Sequence, residues 1–256
     1  MTNAKNCVLA GICTLADGPK CTRLCAPYIG MHGADGRGGR NGTADLPQEY
    51  RLVTLDNAAP AKDQAEAYEI IRRYVASFKR QFEDGGERLK SLYLVSISPG
   101  TGKTTTAAAI LNEWLRVSFV GALGRNRQAP DLLAYFLDVN AWQTDYNAFN
   151  RARVPDSIAG PAAERYYRAF KAVQEAPFAV LDDIGVRDVT DGFRGDLHAV
   201  INARVTNALP TVYTSNVPIE ELARVFNDRR LPDRIRDQCA VIKFEGGSKR
   251  GIRKTE

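Results

Sequence analysis

The segment Ser98-Pro99-Gly100-Thr101-Gly102-Lys103-Thr104 constrains this chain more than any other. A short apolar run, residues 92–97, leads into it, and residues 104–120 follow with alanines and leucines at helical spacing. Strand, glycine turn and helix in that order aim backbone N–H groups and the positive end of a helix at an anion. In the phosphate-loop pattern Lys103 reaches the β- and γ-phosphates and the Thr104 hydroxyl meets Mg²⁺. Pro99, Gly100, Thr101, Gly102 and Thr105 then wrap the rest of the triphosphate. Where the pattern has its first glycine, this chain has Ile97.

Further strands are predicted at 132–139, 178–181, 211–214 and 240–244, with helices at 63–82, 141–149, 162–174, 193–207 and 219–226. Gly85-Gly86 is read as the stop of the 63–82 helix. Strands alternating with helices predict a parallel sheet covered on both faces, a doubly wound α/β domain of five strands.

Two more strand ends carry polar groups suited to a nucleoside triphosphate. Phe178-Ala179-Val180-Leu181-Asp182-Asp183 is an apolar strand closing on two carboxylates. Asp182 is the candidate for holding Mg²⁺, directly or through water, and Asp183 for orienting the attacking water. Pro210-Thr211-Val212-Tyr213-Thr214-Ser215-Asn216 ends in an amide, and Asn216 is the candidate γ-phosphate or water sensor. Beyond it, Arg234, with Arg236 second, could reach the site of a neighbouring subunit as an arginine finger.

Composition narrows the class. Of 256 residues, 44% are hydrophobic and 25% charged, ordinary for a globular protein. No apolar run approaches the ~18 residues of a membrane span, and Met1 to Ala10 does not read as a secretion signal, so a cytoplasmic location is expected. The net charge of +5 permits contact with a nucleic-acid backbone without demanding it. Arginines cluster at Arg229-Arg230, Arg234, Arg236 and Lys249-Arg250. Trp142, Tyr146, Phe149, Tyr166 and Tyr167, with Arg151, Arg153 and Arg168, are candidates for stacking on single-stranded DNA, although such spacing also suits a core.

Residues 1–45 differ from the rest. Four of the five cysteines, Cys7, Cys13, Cys21 and Cys25, fall there, followed by a glycine-rich stretch, 36–42, read as a flexible loop or linker. Clustered thiols in so short a segment point to Zn²⁺, with His32 able to replace one of them; free thiols and an iron–sulfur cluster are the alternatives. A bound Zn²⁺ would supply roughly 10 kcal/mol of folding free energy. Cys239 reads as plain core.

The order phosphate loop, Asp182-Asp183-Ile184-Gly185, Thr214-Ser215-Asn216, Asp233-Arg234-Ile235 resembles the AAA+ ATPases of the DnaC/DnaI type, replicative helicase loaders, and most of all their phage versions. The resemblance runs over about residues 46–250. It includes the lead-in 46–51 and the basic ending Gly247-Ser248-Lys249-Arg250, which is also similar to IstB-type transposition helpers. It implies an AAA+ core over 46–256 without a C-terminal lid domain, and a zinc-binding N-terminal module that grips a hexameric helicase. It also implies ATP hydrolysis, binding of single-stranded DNA and self-assembly with or on the helicase, in the bacterial host cytoplasm for a phage-encoded chain. Two alternatives stay open: an IstB-type DNA-binding helper, and an ATP-switched adaptor with negligible turnover.

Overall fold

The computed structural model describes residues 2–83, 88–185, 189–226 and 230–248. Gly85-Gly86, Arg229, Lys249 and Arg250, singled out above, lie outside them. The chain runs α1 (Ala26–His32), α2 (Gly39–Thr43), α3 (Ala65–Ala76), β1 (Ser91–Val95), α4 (Lys103–Leu123), β2 (Tyr135–Asp138), α5 (Val139–Asn150) and α6 (Asp156–Glu175). It continues through β3 (Ala179–Asp182), α7 (Asp191–Thr206), β4 (Thr211–Ser215), α8 (Leu222–Phe226), α9 (Arg230–Gln238) and β5 (Cys239–Lys243).

The strands form one parallel sheet in the order β2-β3-β4-β1-β5. Successive residues of a strand face opposite sides, so the sheet feeds two cores. Leu92, Leu94, Phe136, Val180, Val212 and Ile242 pack with α3 and α4 on one side. Tyr93, Val95, Leu137, Leu181 and Tyr213 pack with residues of α5, α6, α7 and α9 on the other. Helix α4 presents Ala107, Ala108 and Ala109 without any exposed surface, which lets it lie close to the strands that carry the site. At the opposite end of the sheet, Arg204 is fully buried. It donates to the Thr211 hydroxyl and to the carbonyls of Val173, Ala176 and Pro210, tying α6, α7 and β4 together.

The strand prediction is met with small shifts. The 132–139 run shortens to β2 because the Asp138 carboxylate accepts from the N–H groups of Asn140 and Ala141 at 2.9 and 3.0 Å, so Val139 already opens α5. Helix α6 begins earlier than expected, at Asp156, with Pro161 inside it.

The glycine-rich stretch is a correction. Instead of a flexible loop or linker, residues 39–43 form α2, and Arg40 and Asn41 are buried. The Arg40 guanidinium donates to the carbonyls of Gly30, Ala129 and Pro130 and lies over the Phe119 ring. Three carbonyl partners satisfy a buried cation that would otherwise disfavour this packing. Val8, Leu9, Met31, Ala44 and Leu46 join the same core as α4. The Ala44 carbonyl also accepts from Phe136 N–H at 2.8 Å, a rung added to the outer edge of β2.

Candidate nucleotide site

The site lies at the carboxyl ends of β1, β3 and β4. Register brings them level: Leu94 faces Thr214 and Val95 faces Ser215 across β1 and β4, and Asp138 faces Asp182 across β2 and β3. Ser96 N–H donates to the Ser215 carbonyl, carrying the pairing into the start of the phosphate loop.

Gly100 and Gly102 occupy the left-handed region, with φ of 71° and 96°. A Cβ at Gly102 would lie 2.3 Å from Cγ of Pro60, so glycine is required both by conformation and by the segment that closes over the loop. Ile97 has no such constraint. Its φ is not positive, its side chain is 82% exposed, and it does not line the cleft, which is why the loop forms without the usual first glycine.

Lys103, at the first turn of α4, is buried, and its Nζ donates to Asn216 Oδ1 at 2.6 Å. Thr104 Oγ1 donates to Asp182 Oδ2 at 3.1 Å, and Thr214 Oγ1 donates to Asp182 Oδ1 at 2.6 Å. The Thr214 hydroxyl also accepts from Asp183 N–H at 2.9 Å, and Asp183 itself turns through the left-handed region. Burial raises the Asp182 carboxyl to about 7; Asp183 and Asp138 push the same way, while the Thr214 and Thr104 hydroxyls oppose them.

These groups border a cleft of about 800 Å³ lined by Pro99 through Thr105, Asp182, Asp183 and Asn216. The sequence-predicted residues of the phosphate loop, the β3 carboxylates and the β4 amide are therefore brought together. Glu49, Tyr50, Pro60, Asp63, Phe136 and Asp138 also line the cleft and were not anticipated. Asp138 had a visible signal, a carboxylate at the end of an apolar run. The 46–51 lead-in was noticed only as a family trait. A second cavity, about 650 Å³, lies between α2, β2, α5 and α6 and touches the first at Asp138.

Other candidates fall elsewhere. Arg234 does not line the cleft: it is exposed on α9, and its guanidinium donates to Asn202 Oδ1 of α7. Arg236 pairs with Asp233 on the same helix. Trp142 and Tyr166 are core rather than DNA-stacking residues. Both are buried, their rings stack at 4.7 Å, and the indole N–H donates to the Tyr166 carbonyl. Tyr167, Arg151, Arg153 and Arg168 are exposed.

Cys7, Cys13, Cys21 and Cys25 line one small pocket. Burial pushes the Cys7 thiol up, and the other three thiols add to the effect. Among the described residues, however, no three His, Cys, Asp or Glu side chains are arranged to hold a metal ion. His32 is not on that pocket. Its Nε2 accepts from Val8 N–H at 3.0 Å, so that lone pair is committed to the backbone, and the ring packs against Tyr28. No helix among the described residues is long and apolar enough to cross a membrane.

A parallel sheet with a phosphate loop after β1 and paired carboxylates after β3 defines an α/β P-loop ATPase fold. The IstB-like ATP binding protein family model matches residues 160–256, and the fold is like that of DnaI and of the DnaC helicase loader. The structure titled as DnaI is similar over 80% of this chain and 94% of that one, with 22% identity and a TM-score of 0.54. The DnaC helicase loader is similar over 78% and 100%, with 20% identity and a TM-score of 0.52. A primosome component of Streptococcus pyogenes serotype M3 matches over 82% and 98%, with 22% identity and a TM-score of 0.51. In sequence, the phage-like element PBSX protein XkdC of Bacillus subtilis (strain 168) is 25% identical over 207 residues, 78% of this chain. The match spans 66% of that relative, just short of two thirds of its length.

Proposed function

We propose that the chain binds Mg-ATP in the 800 Å³ cleft and acts as an ATP-dependent loader that delivers a replicative helicase onto single-stranded DNA. The observation that carries the nucleotide reading is the convergence of Lys103, Asn216, Thr104 and Asp182 at the ends of adjacent strands. Lys103 neutralises the β- and γ-phosphates, with the N–H groups of 100–105 around them. Thr104 and Asp182, already hydrogen-bonded to each other, supply hard oxygen ligands of the kind Mg²⁺ takes. The cation, when bound, offsets charge developing on the phosphoryl oxygens. Asp183 orients the attacking water and Asn216 senses the γ-phosphate. Arg234, exposed on α9, acts in a neighbouring subunit.

The loader reading is supported by likeness to DnaI and DnaC, and residues 1–45 are proposed as the helicase-gripping module. Zn²⁺ on the four thiols that line one pocket is part of this reading. Metal analysis of the purified full chain tests it: about one zinc per chain is expected, and a metal-free folded chain ends it. The main test is co-purification with a replicative helicase, in the presence of ATP, followed by helicase transfer to single-stranded DNA. Failure to bind any helicase removes the loader reading.

The IstB-like match over 160–256 favours a second reading, a DNA-binding transposition or recombination helper. ATP-dependent polymerisation on duplex DNA without helicase binding is the outcome that selects it. A chain that binds ATP and the helicase with no measurable turnover is a switch rather than an ATPase.

A further inference from the structure

Adjacent residues Tyr50 and Arg51 face two different parts of the molecule. Tyr50 lines the nucleotide cleft. Burial raises the Tyr50 hydroxyl, and the Glu49 and Asp182 carboxylates, which line the same cleft, push the same way. The Tyr50 carbonyl is fixed from behind by Asn112 Nδ2 of α4 at 2.8 Å, and the same amide holds the Val53 carbonyl at 2.7 Å.

Arg51 points the other way. Its guanidinium donates to the Arg37 carbonyl at 2.7 Å and the Leu46 carbonyl at 3.1 Å, while its own carbonyl accepts from Asn41 Nδ2 at 3.0 Å. Its positive charge also reaches His32, whose ring nitrogen holds Val8 N–H in the cysteine-bearing segment. Hydrogen bonds of Arg51 thus tie the residue next to the cleft-lining Tyr50 to Arg37, Asn41 and Leu46.

We infer that Tyr50 and Arg51 are positioning residues that couple occupation of the nucleotide cleft to the order of the cysteine-rich module. Phosphate oxygens entering beside Tyr50 offer its hydroxyl acceptors that compete with Glu49. The backbone at Tyr50 is anchored to α4, so the adjustment passes along the chain to Arg51 and its carbonyl partners. The inference rests on the proposed nucleotide site and adds a direction of signalling to it.

Hydrogen–deuterium exchange on the full chain, with and without Mg²⁺ and a non-hydrolysable ATP analogue, tests the coupling, with calorimetry in parallel. Amides of residues 8–46 are expected to exchange about threefold more slowly when the analogue is bound. Arg51→Gln, outside the cleft, is expected to bind the analogue with affinity within about twofold of the original chain but to lose the exchange response. Tyr50→Phe, which keeps the ring, is expected to blunt it. If Arg51→Gln does not fold, Arg51→Lys, which keeps the charge with fewer donors, is expected to give a reduced response. Binding without any change in exchange, or an unchanged response in both the Arg51 and Tyr50 variants, overturns the coupling alone. Absence of binding overturns the site and the coupling together.

Discussion

Lys103 Nζ and Asn216 Oδ1 meet at 2.6 Å, joining the first residue of the phosphate-loop helix to the residue that follows β4. An entering triphosphate has to take the ammonium group into its own coordination while the amide stays beside it. Lys103→Ala is therefore expected to weaken ATP binding by about 100-fold or more in calorimetry, because a charge-assisted contact to phosphate is lost. Asn216→Ala is expected to leave binding within several-fold and to lower the steady-state hydrolysis rate by about 10-fold or more.

Thr214 serves Asp182 and Asp183 together, donating to one and accepting from the N–H of the other. Thr214→Val keeps the shape of the side chain and removes both contacts. Leaving a buried carboxylate oxygen and an N–H short of a partner is expected to cost about 1–3 kcal/mol in urea unfolding. Mg²⁺-dependent turnover should fall in the same variant, since the carboxylate loses its fixed orientation.

Arg204 separates stability from chemistry, because it lies at the far end of the sheet. Arg204→Met leaves three carbonyls and a hydroxyl without their donor in a fully buried place. A loss of about 3–5 kcal/mol is expected by chemical denaturation. Below the unfolding transition, nucleotide affinity should stay close to that of the unaltered chain.

His32 gives the module a pH response with a definite sign. Burial, helped by Arg51, lowers its pKa from 6.5 to about 4, and its Nε2 must stay unprotonated to accept from Val8 N–H. The folded form therefore binds fewer protons than the unfolded one between those values. The stability this contributes is fully present above pH 6.5 and is lost as pH falls toward about 4, by up to about 3 kcal/mol. Urea titrations at pH 7 and pH 5 should show the difference, and His32→Gln should flatten the slope.

Much of the site was legible because its signals are local. The glycine turn before Lys103, the carboxylates closing β3 and the amide closing β4 each sit within a few residues of an apolar run. Parallel strands then bring their carboxyl ends together. Tyr50, Pro60 and Asp63 were not legible, since they reach the cleft only when the segment before α3 folds back over Gly102. The glycines of 36–42 suggested slack, yet Arg40 finds three carbonyls from distant segments and pins the stretch down. Trp142 and Tyr166 could equally have been a stacking platform; their mutual packing under α7 decides for the core.

The rung between the Ala44 carbonyl and Phe136 N–H has a practical corollary for anyone trimming the chain. Cutting away everything up to that residue would free the Phe136 N–H on the edge strand β2, where another molecule could pair with it. The remainder of the chain prepared in that way is expected to self-associate, and its clumping would reflect a lost neighbour rather than a native assembly.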